Sequence, residues 1–352
     1  MTAATTIPTR AIELTPEWLT TTLRSAGHAE ITVTGVDVEP VGSGQMAGSY
    51  RLTLTYAEPG PLPPTMVAKM AIGDQSQREF ASGVFRNEVL FYSRIAPTLT
   101  VPVPRAYAAV ISDTHTEFVL LLDDMAPATQ GDQIAGCTPE QARAIAVAAA
   151  GLHGPRWCDE TLLELPGLVL PTHDDRVLMD SVLAPMADAF RARFALDDKE
   201  SATIDWLVAT AGDWLERPPT RFALIHGDLR IDNVLFGADG AVTVIDWQTI
   251  TPGNPLRDIA FLLASSLNPA DRRTHERDIV GAYHTALLDH GVTDYSFDDC
   301  WRDYLDSLIQ SPLIIVFGCG AAIPTERGDR MFATMLARTA AALNDLNPDA
   351  LR

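Results

Sequence analysis

Apolar positions follow two different rhythms along this chain. Tyr50, Leu52, Leu54 and Tyr56 recur at every second residue, the spacing of one face of a β-strand. Ile31, Val33, Val36 and Val38 mark a strand before it, and residues 66–72 a third strand after the proline-rich loop 59–64. Thr15-Pro16-Glu17 places an N-cap hydroxyl, a first-turn proline and an acid together, predicting a helix to about Ser25. Over 76–95 the period becomes helical. Phe80, Val84, Glu88, Phe91 and Ile95 recur at spacings of four, four, three and four, which predicts an apolar stripe with one carboxylate inside it. Two further strands are expected at 106–111 and 118–122, after Pro102 and Pro104. Five strands around one helix make a small antiparallel lobe.

Helical patterning then takes over. Thr138-Pro139-Glu140-Gln141 has capping-box spacing and opens an alanine-rich helix through Leu152. Beyond it, strong strand signals occur only at 233–236 and 242–245, joined by an Asp239-Gly240 hairpin turn. The fold class expected is α+β: a strand-rich N-terminal lobe followed by a largely helical one.

Composition narrows the function. Hydrophobic residues make up 47% of the 352 and charged residues 20%, the make-up of a folded protein long enough for two lobes. A formal charge of −20 argues against binding nucleic acid through its phosphates. The apolar run 313–323 is interrupted by Gly318 and Gly320 and is shorter than the roughly 20 residues of a spanning helix. With no basic-then-apolar leader, a cytoplasmic protein without membrane partners is expected. Cys137, Cys158, Cys300 and Cys319 form no CxxC pair and read as free buried thiols. Lysine is scarce: Lys69 and Lys199 are the two among 26 basic residues.

The densest chemistry lies in His226-Gly227-Asp228, Asn233 and Asp246-Trp247-Gln248. Antiparallel pairing across the Asp239-Gly240 turn brings Asn233, at the start of one strand, and Asp246, at the end of the other, to the open end of the hairpin. An amide oxygen and a carboxylate there suit a hard cation such as Mg²⁺. Asp228, five residues before Asn233 on an irregular loop, can approach a hydroxyl that lies close to that metal. The Asp-x4-Asn spacing followed by a strand-terminal Asp is that of a kinase catalytic loop and metal loop.

These motifs resemble the aminoglycoside phosphotransferase and choline kinase superfamily, and more narrowly its ecdysteroid-kinase-like branch, where Asp-Trp-Gln stands for the protein kinases' Asp-Phe-Gly. The likeness extends to Asp123-Asp124-Met125, similar to the family hinge, to Gly131-Asp132-Gln133, and to Leu152-His153. It implies a bilobal kinase-like fold that binds ATP and Mg²⁺ and phosphorylates a small-molecule hydroxyl. The lobes would be 1–122, a hinge and linker over 123–135, and 136–352 with the catalytic and metal loops and acceptor site. Asp228 would be the catalytic carboxylate, Asn233 and Asp246 the metal ligands, and Asp123, Asp124 and Met125 part of the nucleotide site.

On the nucleotide side, Lys69 sits in an apolar strand, where a cation needs a partner or a ligand. The family expectation is that Glu88 pairs with it, Glu79 falling off the stripe. Gly42-Ser43-Gly44, opening a glycine-rich turn to Gly48, either lays backbone N–H groups over phosphates or is a plain turn. It fits neither a Rossmann fingerprint nor a P-loop. His226 reads as a structural loop residue and Asp258 as a cap or brace. Arg230 and Asp232 replace the histidine and glycine common in such kinases, and Arg230 either contacts an anionic acceptor or braces the loop. Tyr283, His284, Trp301 and Tyr304 read as core. A catalytically silent nucleotide-binding regulator and a protein kinase are the alternatives; the twelve residues from Asp246 to Asp258 leave no room for a long activation segment.

Overall fold

The computed structural model describes residues 6–42 and 47–346 and divides into two compact units. The first holds α1 (Pro16–Ser25), β1 (Val33–Pro40), β2 (Ala47–Tyr56), β3 (Thr65–Ala71), α2 (Gln75–Leu90), β4 (Ala106–Ile111) and β5 (Phe118–Asp123). Its five strands form one antiparallel sheet in the order β1-β2-β3-β5-β4. The alternation in β2 buries Leu52 and Leu54 against Trp18, Leu19 and Leu23 of α1 and Met66, Ala68 and Met70 of β3. Thr15 caps α1 as its sequence predicts, its hydroxyl accepting from Trp18 N–H at 3.3 Å.

The stripe expected on α2 is shifted in phase. Phe80 is 84% exposed, whereas Ala81, Phe85, Glu88 and Val89 are buried. Phe85 packs on Phe118, ring centroids 4.8 Å apart, and the small Ala81 takes the inner position one turn earlier. At Phe91–Ile95 the helix widens into a π-turn that keeps Phe91, Tyr92 and Ile95 all inward.

The second unit contains β6 (Thr129–Gln130), α3 (Pro139–His153), α4 (His173–Arg193), α5 (Asp198–Glu216), β7 (Ala223–Ile225), β8 (Val234–Phe236), β9 (Val242–Val244), β10 (Thr251–Gly253), α6 (Leu256–Ser266), α7 (Pro269–Asp289), α8 (Phe297–Asp306), α9 (Gln310–Ala321) and α10 (Glu326–Leu346). Its core joins Phe190 of α4, Leu207 and Trp214 of α5, Phe261 of α6, Val316 of α9 and Leu336 of α10. The stretch Phe297–Ala321 is apolar enough to cross a membrane by length and composition, yet 67% of its apolar 18-residue window is buried inside the protein. The paired acids Asp174-Asp175, Asp197-Asp198 and Asp298-Asp299 sit at helix starts, where the macrodipole favours them.

The units do not follow a single cut. The segment expected as a hinge, 123–135, is divided at Pro127. Leu99–Pro102 belongs to the second unit, because Thr100 and Val101 donate their N–H groups to Gly151 O and Pro102 O accepts from Val244. Asp246–Thr249 belongs to the first, where Trp247 stacks on Phe91 with centroids 3.8 Å apart and planes 5° off parallel. Among the cysteines, Cys300 and Cys319 are buried, Cys137 is half-buried, and Cys158 is exposed, against expectation.

Candidate active site

The sequence-predicted residues form two constellations, one in each unit. In the first, the β3 register sets Lys69 opposite Ser49 and Leu120, in the centre of the sheet. Its ammonium donates to Glu88 Oε1 at 2.6 Å and to Asp246 Oδ1 at 2.8 Å. Glu88 is 1% exposed; burial together with the charge of Asp246 holds its carboxyl above the usual range, while Lys69 and the Trp247 N–H pull against them. Burial also works against the Lys69 charge, but the two carboxylates outweigh it and raise its pKa. An ammonium has three donors, and two are taken here; the third has no protein acceptor among the described residues.

Asp246 has φ +68, an unusual backbone for a non-glycine residue and of the kind found at functional loops. The hinge acids are engaged inside the same unit. Asp123 accepts from Tyr107 OH at 2.5 Å and Arg105 N–H at 3.1 Å. Asp124 takes Arg51 through two nitrogens at 2.8 and 3.1 Å. Both carboxylates are therefore committed to neighbours within this unit; Met125 is half-buried beside them. Gly42 has φ +78, a turn conformation suited to glycine. Ser43 and Gly44 lie outside the described residues.

In the second unit, β7 delivers the chain into the His226-Gly227-Asp228 loop. Asp258, at the start of α6, accepts from His226 N–H at 2.7 Å and Gly227 N–H at 2.9 Å. His153 of α3 adds a third contact at 3.2 Å and bonds Tyr283 OH at 2.8 Å. Asp258 is 1% exposed. Burial alone would raise its carboxyl, but His153 and the field of His226 hold it below the usual range. Asp258 is thus the loop brace expected. His226 is structural too, its Nε2 at 3.0 Å from Ile245 O.

Asn233 donates its amide to Asp228 O at 2.8 Å and to Asp228 Oδ2 at 3.0 Å. It closes a short 3-10 turn and does not begin β8. The hairpin register Val234↔Val244 extends one step, Ile245 N–H reaching Asn233 O at 3.0 Å; Asp246 is the next residue. Arg230 spans Asp228 (3.2 Å) and Asp232 (3.1 Å). Its role as a loop brace is therefore visible.

The sequence marks Asp232 as a departure from the family pattern and Gln133 as part of the likeness, but predicts no contact for either. Asp232, 7% exposed, accepts from Gln133 N–H at 2.7 Å and from Arg327 at 3.2 Å. Gln133, fully buried, accepts from Ile231 N–H at 3.0 Å and donates to Ser265 O at 3.0 Å. The available signal was a polar Gly131-Asp132-Gln133 turn ahead of a capped helix. The β6 strand explains the glycine: a Cβ on Gly131 would fall 2.4 Å from Ile231 O. The network fixes the 226–233 loop at Ile231 and Asp232.

The family model described as "Phosphotransferase enzyme family" matches residues 74–297, a span that includes Glu88, Asp228, Asn233 and Asp246 and begins five residues after Lys69. Among solved structures, a putative aminoglycoside phosphotransferase from Ralstonia eutropha shares 15% identity at TM-score 0.55, over 93% of this chain and 98% of that one. The GDP complex of wild-type aminoglycoside 2'-phosphotransferase-IIIa shares 15% identity at TM-score 0.51, over 92% and 98%. At those identities the likeness is one of fold, the two-lobed kinase-like α+β class. A 41-residue stretch is 51% identical to part of acyl-CoA dehydrogenase family member 11 of Gallus gallus, 11% of this chain and 5% of that protein's length.

Proposed function

The chain belongs to the phosphotransferase enzyme family, and from that premise we propose that it transfers the γ-phosphoryl group of Mg-ATP to a hydroxyl of a small-molecule acceptor. The observation that carries the reading is Lys69 held between Glu88 and Asp246 with one donor to spare. A half-buried ammonium fixed by two acids that favour its charge suits a nucleotide polyphosphate, whose oxygens take that third donor. The Asp246-Trp247-Gln248 loop supports the ecdysteroid-kinase-like branch.

The donor set fits magnesium. Among the described residues no three His, Cys, Asp or Glu side chains gather as a metal cage, and Mg²⁺ is commonly taken by one or two protein oxygens with phosphates and water completing its shell. Asn233 and Asp246 would hold it, and when bound it would offset charge on the phosphates. Asn233 meanwhile fixes the Asp228 carboxylate through its amide. Asp228 orients the acceptor hydroxyl and takes its proton as the new O–P bond forms and the bond from the γ-phosphorus to the ADP oxygen breaks, ADP leaving. Arg230, already on the same carboxylate, helps hold its orientation.

The test is ADP release by the full chain with Mg-ATP over amino alcohols, sugars, sterol-like alcohols and aminoglycosides. Acceptor-dependent release is expected, and Asp228→Asn should lower turnover by about 10²- to 10⁴-fold. ATP binding without release against any acceptor would favour the silent regulator, and preferential phosphorylation of peptides a protein kinase.

A further inference from the structure

Arg257 is a cation that the mechanism above does not use. It occupies the second position of α6, directly before Asp258. Its guanidinium carbon lies over the ring of Trp214 on α5, 4.8 Å from the ring centre, a cation–π contact that helps fix the group. Its Nε donates to Gln310 Oε1 at 2.8 Å. Gln310, 1% exposed, donates in turn to Gly227 O at 3.2 Å. Gly227 immediately precedes Asp228, so two hydrogen bonds couple this guanidinium to the catalytic loop.

Arg257 also lacks the partner that the chain's acidity would be expected to supply. The protein carries 46 acids, and Arg51, Arg176, Arg230 and Arg272 each hold a carboxylate. Among the described residues no Asp or Glu makes an ion pair with Arg257. Its neighbour Asp258 is turned to the His226 and Gly227 amides. Burial pushes the guanidinium down to about 10, Asp258 opposing; it stays charged at neutral pH, half-buried and with no carboxylate paired to it among the described residues. A Cβ on Gly253, in β10, would meet Arg257 Nη1 at 3.1 Å, so the glycine leaves room for the terminal nitrogens. A guanidinium held by Trp214 and Gln310, its terminal nitrogens without a hydrogen-bond partner among the described residues, suits bidentate recognition of a carboxylate or phosphate.

We propose that Arg257 is a specificity-determining residue that binds an oxyanion carried by the acceptor, so that the substrates are hydroxy acids or phosphorylated alcohols in preference to neutral or cationic alcohols. The inference rests on the phosphotransferase reading and narrows its acceptor class. Gln310 then sets the distance between the bound anion and the hydroxyl that faces Asp228.

The experiment uses the full chain with Mg-ATP and matched acceptor pairs: a hydroxy carboxylic acid against its hydroxy amide, and a sugar phosphate against the free sugar. The anionic member of one pair should show kcat/KM at least about tenfold higher, the size of one lost charge-assisted interaction. Which pair responds separates carboxylate from phosphate. Arg257→Gln should erase the preference, with KM for the anionic member rising by a larger factor than kcat falls, and Arg257→Lys should restore part of it. Equal use of neutral and anionic members overturns the proposal, as does an Arg257→Gln enzyme that loses both members alike. If no acceptor turns over, thermal shift with acetate and inorganic phosphate decides: both proteins are saturated with ADP, and only the wild type should be stabilised by one of the anions. Equal shifts overturn the proposal. The phosphotransferase reading fails separately, through absence of nucleotide binding and ADP release with the anion effect retained.

Discussion

Removing the carboxylate of Asp258 should loosen the catalytic loop and the fold together, and the structure sets the scale. The side chain accepts three contacts in a dry environment: His226 N–H at 2.7 Å, Gly227 N–H at 2.9 Å and His153 Nε2 at 3.2 Å. Asp258→Ala leaves two buried backbone donors and one imidazole without their acceptor. A buried donor left unsatisfied costs about 1–3 kcal/mol, so the two amides alone give about 2–6 kcal/mol, and we expect about 3–5 kcal/mol. Asp258→Asn keeps one oxygen for one amide but turns an NH₂ toward another donor, which should cost about 2–3 kcal/mol by the same reasoning. Denaturant titration with the slope compared between variants measures both. The loop should also lose its placement of Asp228, so turnover falls more than ATP affinity. An Asp258→Ala protein within about 1 kcal/mol of wild type, or an Asn variant less stable than the Ala variant, would refute the reasoning.

The pH dependence follows from the same group. The folded carboxyl of Asp258 titrates below its ordinary 3.8, so its contribution is complete above the unfolded value and lost as pH falls through the folded one. The wild type should lose stability below about pH 4, and Asp258→Asn should lack that share of the acid limb in a series of melting curves. Gly131→Ala would press a Cβ onto Ile231 O, 2.4 Å away; because the obstacle is backbone, we expect a loss of about 2 kcal/mol or more, with reduced turnover, read by thermal unfolding and ADP release. Lys69→Met leaves Glu88 and Asp246 without their shared cation; kcat/KM for ATP should fall by about 100-fold or more, and an unchanged value would contradict the assignment of Lys69 to the phosphates.

What could be read from the sequence was local and regular. The alternation of Tyr50, Leu52, Leu54 and Tyr56 names a strand because a sheet with one buried face admits only that pattern. Asp228, Asn233 and Asp246 were legible through fixed spacing around an Asp-Gly turn. The rest depended on partners far away in the chain. The strands β7 and β10 have three residues each, too few for a period to show. Phe80 was assigned inward because four-residue spacing fits either of two adjacent helix faces; the Phe85 contact with Phe118 chooses between them. The brackets around the catalytic loop, Gln133 with Ile231, Asp232 with Arg327 and Gln310 with Gly227, join residues 83 to 98 positions apart. Such buried polar links leave no periodic trace, since each is defined by geometry and not by spacing.

The most direct test of the central claim is to incubate the chain with Mg-ATP and the acceptor panel and look for a phosphorylated acceptor by mass spectrometry, with Asp228→Asn alongside. The account predicts a product carrying one added phosphoryl group, formed by the wild type and nearly absent from the variant although both bind ATP. Equal product formation by the two proteins would remove Asp228 from the chemistry, and ATP bound by the wild type with no phosphorylated product from any acceptor would contradict phosphotransfer itself.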